Sequence, residues 1–134
     1  MTEQDIRWQQ RYRQFNRAYL LLVQAIAIES PNIVERAGLI QFFEMAFELS
    51  WKLLKDYQQA EGFEVNSPRA AIKLAFQNGI VDDGHVWIQA LEDRNLTTHT
   101  YNEETAQQVE QKIRETYFPL LNVLNNRFSE LEIE

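Results

Sequence analysis

"ERAGLIQFFEMAFELSWKLLKDY", residues 35–57, decides how the rest of the chain is read. Leu39, Phe42, Phe43, Ala46, Leu49, Ser50, Leu53 and Tyr57 repeat at three- and four-residue intervals, the signature of one buried helical face. Ile40, Phe47 and Trp51 fall to one side of that face, so the apolar arc spans about 200° at 100° per residue. A single bundle core needs less, and the surplus predicts a second interface, read here as a subunit contact. Glu44, Glu48, Lys52 and Lys55 form the narrow polar remainder. Two carboxylates one turn apart can suit a metal, but lysines beside them favour a solvated charged face.

Outward from this segment the pattern stays helical. Before it, Trp8, Tyr12, Phe15, Tyr19, Leu22 and Ile26 form one stripe over roughly 4–28. Arg7, Arg11, Arg13 and Arg17 are interleaved with that stripe. Because the aromatics fall on a single core face, they do not read as a base-stacking platform, and the arginines read as solvated flanks. Pro31 and Asn32 punctuate the chain, and the central helix is expected over about 33–60, ending at Gly62. In "NSPRAAIKLAFQNGIVDD" (66–83), Ser67 is an N-cap, Pro68 the first helical residue and Asn78-Gly79 the stop. Asp82 or Asp83 caps a fourth helix over about 84–95 that buries Trp87, Ile88 and Leu91. Thr100 and Glu103 have capping-box spacing, which starts the last helix near Tyr101. Its stripe is Ala106, Val109, Ile113, Tyr117, Leu120 and Leu124, and Pro119 should kink it. The reading is all-α: an antiparallel four-helix bundle with an additional short helix. One domain is expected over 1–134, with a core at 7–127 and a frayed acidic tail at 129–134.

Composition narrows the function classes. The chain has 134 residues, 45% hydrophobic and 25% charged, enough for a real core. Its apolar runs fall short of a membrane span and Met1–Asp5 is polar, so neither a membrane nor a signal segment is expected. The absence of cysteine excludes disulfides and thiolate metal sites and fits a cytoplasmic protein. A net charge of −7 argues against a general nucleic-acid binder, and no DNA partner is expected. Any RNA chemistry must rest on a local site.

One local site stands out in "DRNLTTHTYNEE", residues 93–104. In a continuous helix Arg94 and His99 would point about 140° apart. The three threonines and Asn95 are poor helix formers, so a break is expected that lets the two side chains converge. A helix N-terminus attracts phosphate, arginine binds phosphate oxygens bidentately, and histidine moves protons near neutral pH. RNA carries its own nucleophile, the 2′-OH, so a proton shuttle and a phosphorane stabiliser suffice for cleavage without metal. The same residues also fit a structural Arg–carboxylate pair, with Asp93 or Glu92 as partner, and an exposed histidine. His85, with no such company, reads as surface. Two histidines and no cysteine make a histidine-based metal centre unexpected.

"RNLTTHTY" (94–101) resembles the R-x4-H-x-Y signature of the HEPN superfamily. The blocks 35–57, 66–83 and 87–104, in that order, resemble the nucleotidyltransferase substrate-binding protein family, and the likeness covers about 7–127. That family includes HEPN toxins encoded beside a minimal nucleotidyltransferase. The resemblance implies a helical homodimer with two motifs facing one cleft, and metal-independent ribonuclease activity with Arg94 and His99 as the catalytic pair. Asn95 then matches a supporting polar residue. Tyr101 matches the tyrosine that the partner enzyme modifies with AMP. No cofactor is implied for this chain; ATP and magnesium belong to the nucleotidyltransferase. Expected partners are a second copy, that antitoxin, and RNA, tRNA among the candidates. The alternative is a non-catalytic substrate-binding subunit of a two-component nucleotidyltransferase, and a purely structural dimer is a third reading.

Overall fold

The computed structural model describes residues 2–94 and 102–132. Helix α1 (Glu3–Ile26) starts where the Thr2 hydroxyl accepts the Asp5 amide and the Asp5 carboxylate accepts the Thr2 amide. Asn32 and Glu35 make the same reciprocal cap for α2 (Ile33–Ala60). α3 (Pro68–Gln77) follows the Ser67 cap with proline first, as the sequence requires. α4 spans Gly84–Asp93, with Asp83 at the N-cap position. The final column is α5 (Glu103–Lys112), a π-helical turn (Ile113–Tyr117) and α6 (Phe118–Glu132).

α2 and α3 end by the same device. Gly62 and Gly79 adopt φ of +98° and +76°, so the chain turns left-handed and the next amide reaches back. Phe63 N–H donates to Gln58 C=O at 3.0 Å, and Ile80 N–H to Ala75 C=O at 2.9 Å. These are the six-to-one bonds of a Schellman motif, and they fix both helix ends.

Ring contacts give the direction of packing. Trp8 meets both Tyr57 and Phe128, while Tyr19 stacks on Phe118 at 5.7 Å. Helix α1 therefore runs antiparallel to α2 and to α6. Phe43 lies against Tyr117, so α2 and the final column run together. α4 completes the four-helix bundle, and α3 is the additional short helix, packed on α2 and α4. Phe15, Leu22, Leu39, Leu53, Ile113 and Phe128 are fully enclosed at the centre. The described residues contain no strand, and no helix among them is long and apolar enough to cross a membrane.

The structure corrects two readings and adds detail to a third. Of Ile40, Phe47 and Trp51, assigned to a subunit contact, the first two are 3% and 1% exposed inside their own chain, and Trp51 is partly buried against the same core. Phe47 packs on Trp87 of α4 at 5.8 Å, so the wide arc of α2 serves α4 as well as the main core. Pro119 brings a π turn directly before it: Phe118 N–H reaches Ile113 C=O, five residues back. The wider turn precedes a residue that has no donor and crowds a regular helix. The acidic segment is helical as far as Glu132, which pairs with Arg13 at 3.2 Å while Leu131 packs on the core.

Buried polar groups lock this arrangement. Gln58, wholly enclosed, donates to Leu54 C=O and Ala71 C=O and accepts from Asn78 Nδ2 at 3.0 Å, tying α3 to α2. Asp56, 2% exposed, accepts from Arg11 Nε at 3.0 Å, so this arginine is no solvated flank. Every such pairing removes the desolvation penalty that an orphaned buried group would impose.

Candidate functional site

Arg94 is the last described residue before the motif stretch 95–101, and its position follows from α4. Trp87 and Leu91 are buried four residues apart, which seats the helix on the Phe47 side of α2. At the next turn, the Tyr117 hydroxyl of the π turn donates to Asp93 Oδ2. Burial first, and then the Asp93 carboxylate, push the Tyr117 phenol well above its ordinary value, so it stays a donor. Asp93 is thus committed to the final column and Glu92 to Arg69, at 3.7 Å.

Arg94 takes a different partner. It caps α4 with φ −58° and ψ −25°, and its Nη1 donates to Glu48 Oε2 of α2 at 2.7 Å. The other oxygen of that carboxylate lies 3.8 Å from Lys52 Nζ. The Arg94 and Glu48 side chains are 32% and 42% exposed, so the pair sits on an open face. Farther along α2, the Lys52 and Lys55 ammonium groups each lie 6.0 Å from the Trp51 ring centroid. Glu48, read from sequence as part of a solvated face, is therefore a partner of the motif arginine. Asp93 and Glu92, the carboxylates expected there, are engaged elsewhere. The sequence held no signal for this pairing, because only the α2–α4 packing brings position 48 to position 94.

The far side of the motif is held more firmly. The final helix begins at Glu103, capped by Asn102, whose Oδ1 accepts from the Glu104 and Thr105 amides at 2.9 and 3.3 Å. This replaces the expected Thr100–Glu103 box. The Glu103 side chain is drawn instead to Arg36 Nη1. Arg36 also donates to Glu110 Oε1 at 2.7 Å and to Pro31 C=O at 3.1 Å. Arg114 donates to Glu110 Oε2 at 2.7 Å and to the Ile26 and Ile28 carbonyls. Burial pushes the Glu110 carboxyl up, yet the hydrogen bonds and charges of the two arginines outweigh it and leave the pKa lowered. One enclosed carboxylate thereby joins the α1–α2 connection, α2 and α5.

Asn95, His99, Thr100 and Tyr101 lie outside the described residues, and with them the expected meeting of Arg94 with His99. His85 is exposed, as read from the sequence. Among the described residues, no group of three or more His, Asp or Glu is arranged to ligate a metal. What the described part offers is a guanidinium held at a helix end by a carboxylate that also faces Lys52, and arginine is the residue suited to gripping an anion.

Residues 10–130 match the model of the family described as nucleotidyltransferase substrate binding protein like. A Haemophilus influenzae protein named probable ribonuclease HepT is 33% identical over 87 residues, which is 59% of this chain and 60% of that protein. The chain thus aligns with under two thirds of that relative's length. A Thermus thermophilus protein of known crystal structure superposes with a TM-score of 0.74 and 32% identity. The superposition covers 90% of this chain and 99% of that one.

Proposed function

The chain belongs to the nucleotidyltransferase substrate binding protein-like family, of the HEPN group, and from that premise we propose that it is a metal-independent endoribonuclease. The observation that carries the reading is Arg94: a partly exposed guanidinium, fixed by an ion pair, at the point where the R-x4-H stretch leaves α4. The likeness to a probable ribonuclease supports it.

In this reading the motifs of two subunits face one RNA strand across a two-fold axis. One His99 imidazole takes the proton of a 2′-OH, and that oxygen attacks the adjacent phosphorus. The P–O5′ bond breaks, and the leaving oxygen collects a proton from the second His99 as imidazolium. Arg94 donates to the phosphorane oxygens, whose charge grows in the transition state. Asn95 supports the strand. The dimer rests on the family relation, since Ile40 and Phe47 of α2 are buried within one chain, with Trp51 partly so.

Neutralisation follows from the same site. A cognate minimal nucleotidyltransferase, using its own ATP and magnesium, transfers AMP to the Tyr101 hydroxyl and releases pyrophosphate. The new anion then competes for Arg94 and blocks the strand. The protein acts as a toxin in the cytoplasm until so modified.

The test is cleavage of tRNA by the purified protein in EDTA. Wild type should cut; Arg94→Ala and His99→Ala should each lose about 100-fold or more, the range for removing a transition-state donor or a proton shuttle. Equal cleavage by wild type and the double variant overturns the assignment. A second reading, a non-catalytic subunit that presents a substrate to the nucleotidyltransferase, is favoured by the net charge of −7 and by a carboxylate on the motif arginine. Tight tRNA binding without cutting selects it. Co-expression with the nucleotidyltransferase, followed by intact mass, should show added AMP that disappears in Tyr101→Phe.

A further inference from the structure

We infer that Glu48 is a positioning residue for Arg94, setting the orientation in which the guanidinium meets a phosphate of the RNA strand. The inference rests on the reading of Arg94 as the phosphate-stabilising group.

Three observations lead to it. Arg94 stands at the C-cap of α4, where the helix no longer dictates side-chain direction, so a long flexible chain needs a partner to define it. The nearer carboxylates are withdrawn: Asp93 binds Tyr117, and Glu92 faces Arg69. Glu48 then reaches across from α2, its Oε2 2.7 Å from Arg94 Nη1, with Lys52 Nζ 3.8 Å from Oε1. The carboxylate therefore sits between two cations. Lys52 offsets part of its charge, so Glu48 orients the guanidinium without cancelling it.

Guanidinium geometry gives this contact its value. The five N–H donors form a rigid planar fork, so fixing one nitrogen restricts the plane of all. Oriented donors cost no reorganisation when charge develops on the phosphorane. Glu48 also ties α2 to the last described residue before the motif, one position along from Phe47, which packs on Trp87. The anchor thus stands on a packed part of the core.

The alternative role is inhibitory: the same carboxylate could act as a competing anion that RNA must displace. The two roles predict opposite signs. Steady-state cleavage of tRNA by Glu48→Gln should show kcat reduced about tenfold or more, with KM unchanged or lower. Glu48→Asp should recover part of kcat. Glu44→Gln, which removes the same charge one turn away, should leave kcat unchanged and so controls for net charge. A kcat for Glu48→Gln within twofold of wild type, or above it, overturns the inference. Partly exposed ion pairs add little stability, so the variant should keep its melting profile.

A readout independent of cleavage separates this inference from the ribonuclease reading. In 15N-labelled full-length protein, the Arg94 side-chain Nε–Hε signal should be discrete in wild type and broadened or shifted to the random-coil position in Glu48→Gln. An Arg94 signal that does not move shows that Glu48 does not hold the guanidinium, whatever the protein does to RNA. If the signal moves while wild-type protein leaves RNA intact, the positioning contact stands and the ribonuclease reading fails.

Discussion

Replacing Glu110 by glutamine should cost far more stability than a surface charge would. The carboxylate is 12% exposed, Arg36 11% and Arg114 24%, so three charges meet largely out of water. Glutamine keeps the volume but offers one acceptor where two arginines each use one, and it turns an NH2 group toward a guanidinium. Breaking a buried ion pair by removing one partner costs about 3–5 kcal/mol. The arginines retain Pro31, Glu103, Ile26 and Ile28 as acceptors, which moves the expectation to the lower end, about 3 kcal/mol. For a domain of this size that lowers Tm by about 10 °C.

The pH dependence is the sharper test. Glu110 has a folded pKa below its ordinary value of 4.5, so its contribution is complete above that pH and is lost as pH falls through the folded pKa. The gap in urea-unfolding free energy between wild type and Glu110→Gln should be full at neutral pH and should narrow below pH 4.5. Far-UV circular dichroism reports both quantities. A gap under about 1 kcal/mol at neutral pH, or one that persists at strongly acid pH, would refute the claim that the ionised carboxylate ties these elements together.

Two further outcomes follow from packing. Burial raises the phenols of Tyr12, Tyr19, Tyr57 and Tyr117 above 10.0, with Glu132, Glu61 and Asp93 adding to the effect at Tyr12, Tyr57 and Tyr117. Burial disfavours the phenolate only in the folded state, so this stability is complete below the unfolded pKa and should fall as pH rises past 10.0 towards the raised folded pKa. Absorbance at 295 nm should then register these tyrosines ionising together with loss of helix, not before it. Gly84→Ala should cost about 1–2 kcal/mol, because an added Cβ would lie 2.7 Å from Phe76 Cγ. Phe76→Ala removes the ring contacts but keeps its Cβ, itself 2.9 Å from the added carbon, so the double variant should recover only part of that cost, and strictly additive losses in a thermal-melt cycle would contradict the clash.

The helices were legible because their ends are written locally. Asn32 with Glu35, Ser67 with Pro68, and glycines at 62 and 79 each satisfy or release backbone groups within a few residues. The motif's edges were not, since two signals competed. Asn102 is a stronger N-cap than Thr100, and Glu103 gains more from Arg36 than from a capping box. Periodicity is silent about polar residues that face inward. Asp56, Gln58 and Glu110 are enclosed because a distant arginine, carbonyl or amide waits for them, and no spacing rule sees a partner 45 or 74 positions away. The surplus arc of α2 failed for a related reason: its width showed that something covers it, and the occupant was α4 of the same chain.

Both borders of the motif stretch are tied to α2 by ion pairs of opposite sense. On the near side a cation from the motif meets Glu48; on the far side the Glu103 carboxylate meets Arg36. Those two α2 positions are ~18 Å apart along the axis. The anchors differ in strength. Arg36 is 11% exposed and shared with the enclosed Glu110, so salt screens its tie little even though Glu103 is 41% exposed, whereas Arg94 and Glu48 are both about a third or more exposed and open to ionic competition. The Arg94–Glu48 pair stands open to solvent, whereas the Arg36 guanidinium is enclosed by its partners. On the proposed reading, a guanidinium that meets a substrate anion belongs at the more open of the two ties, and Arg94 stands there.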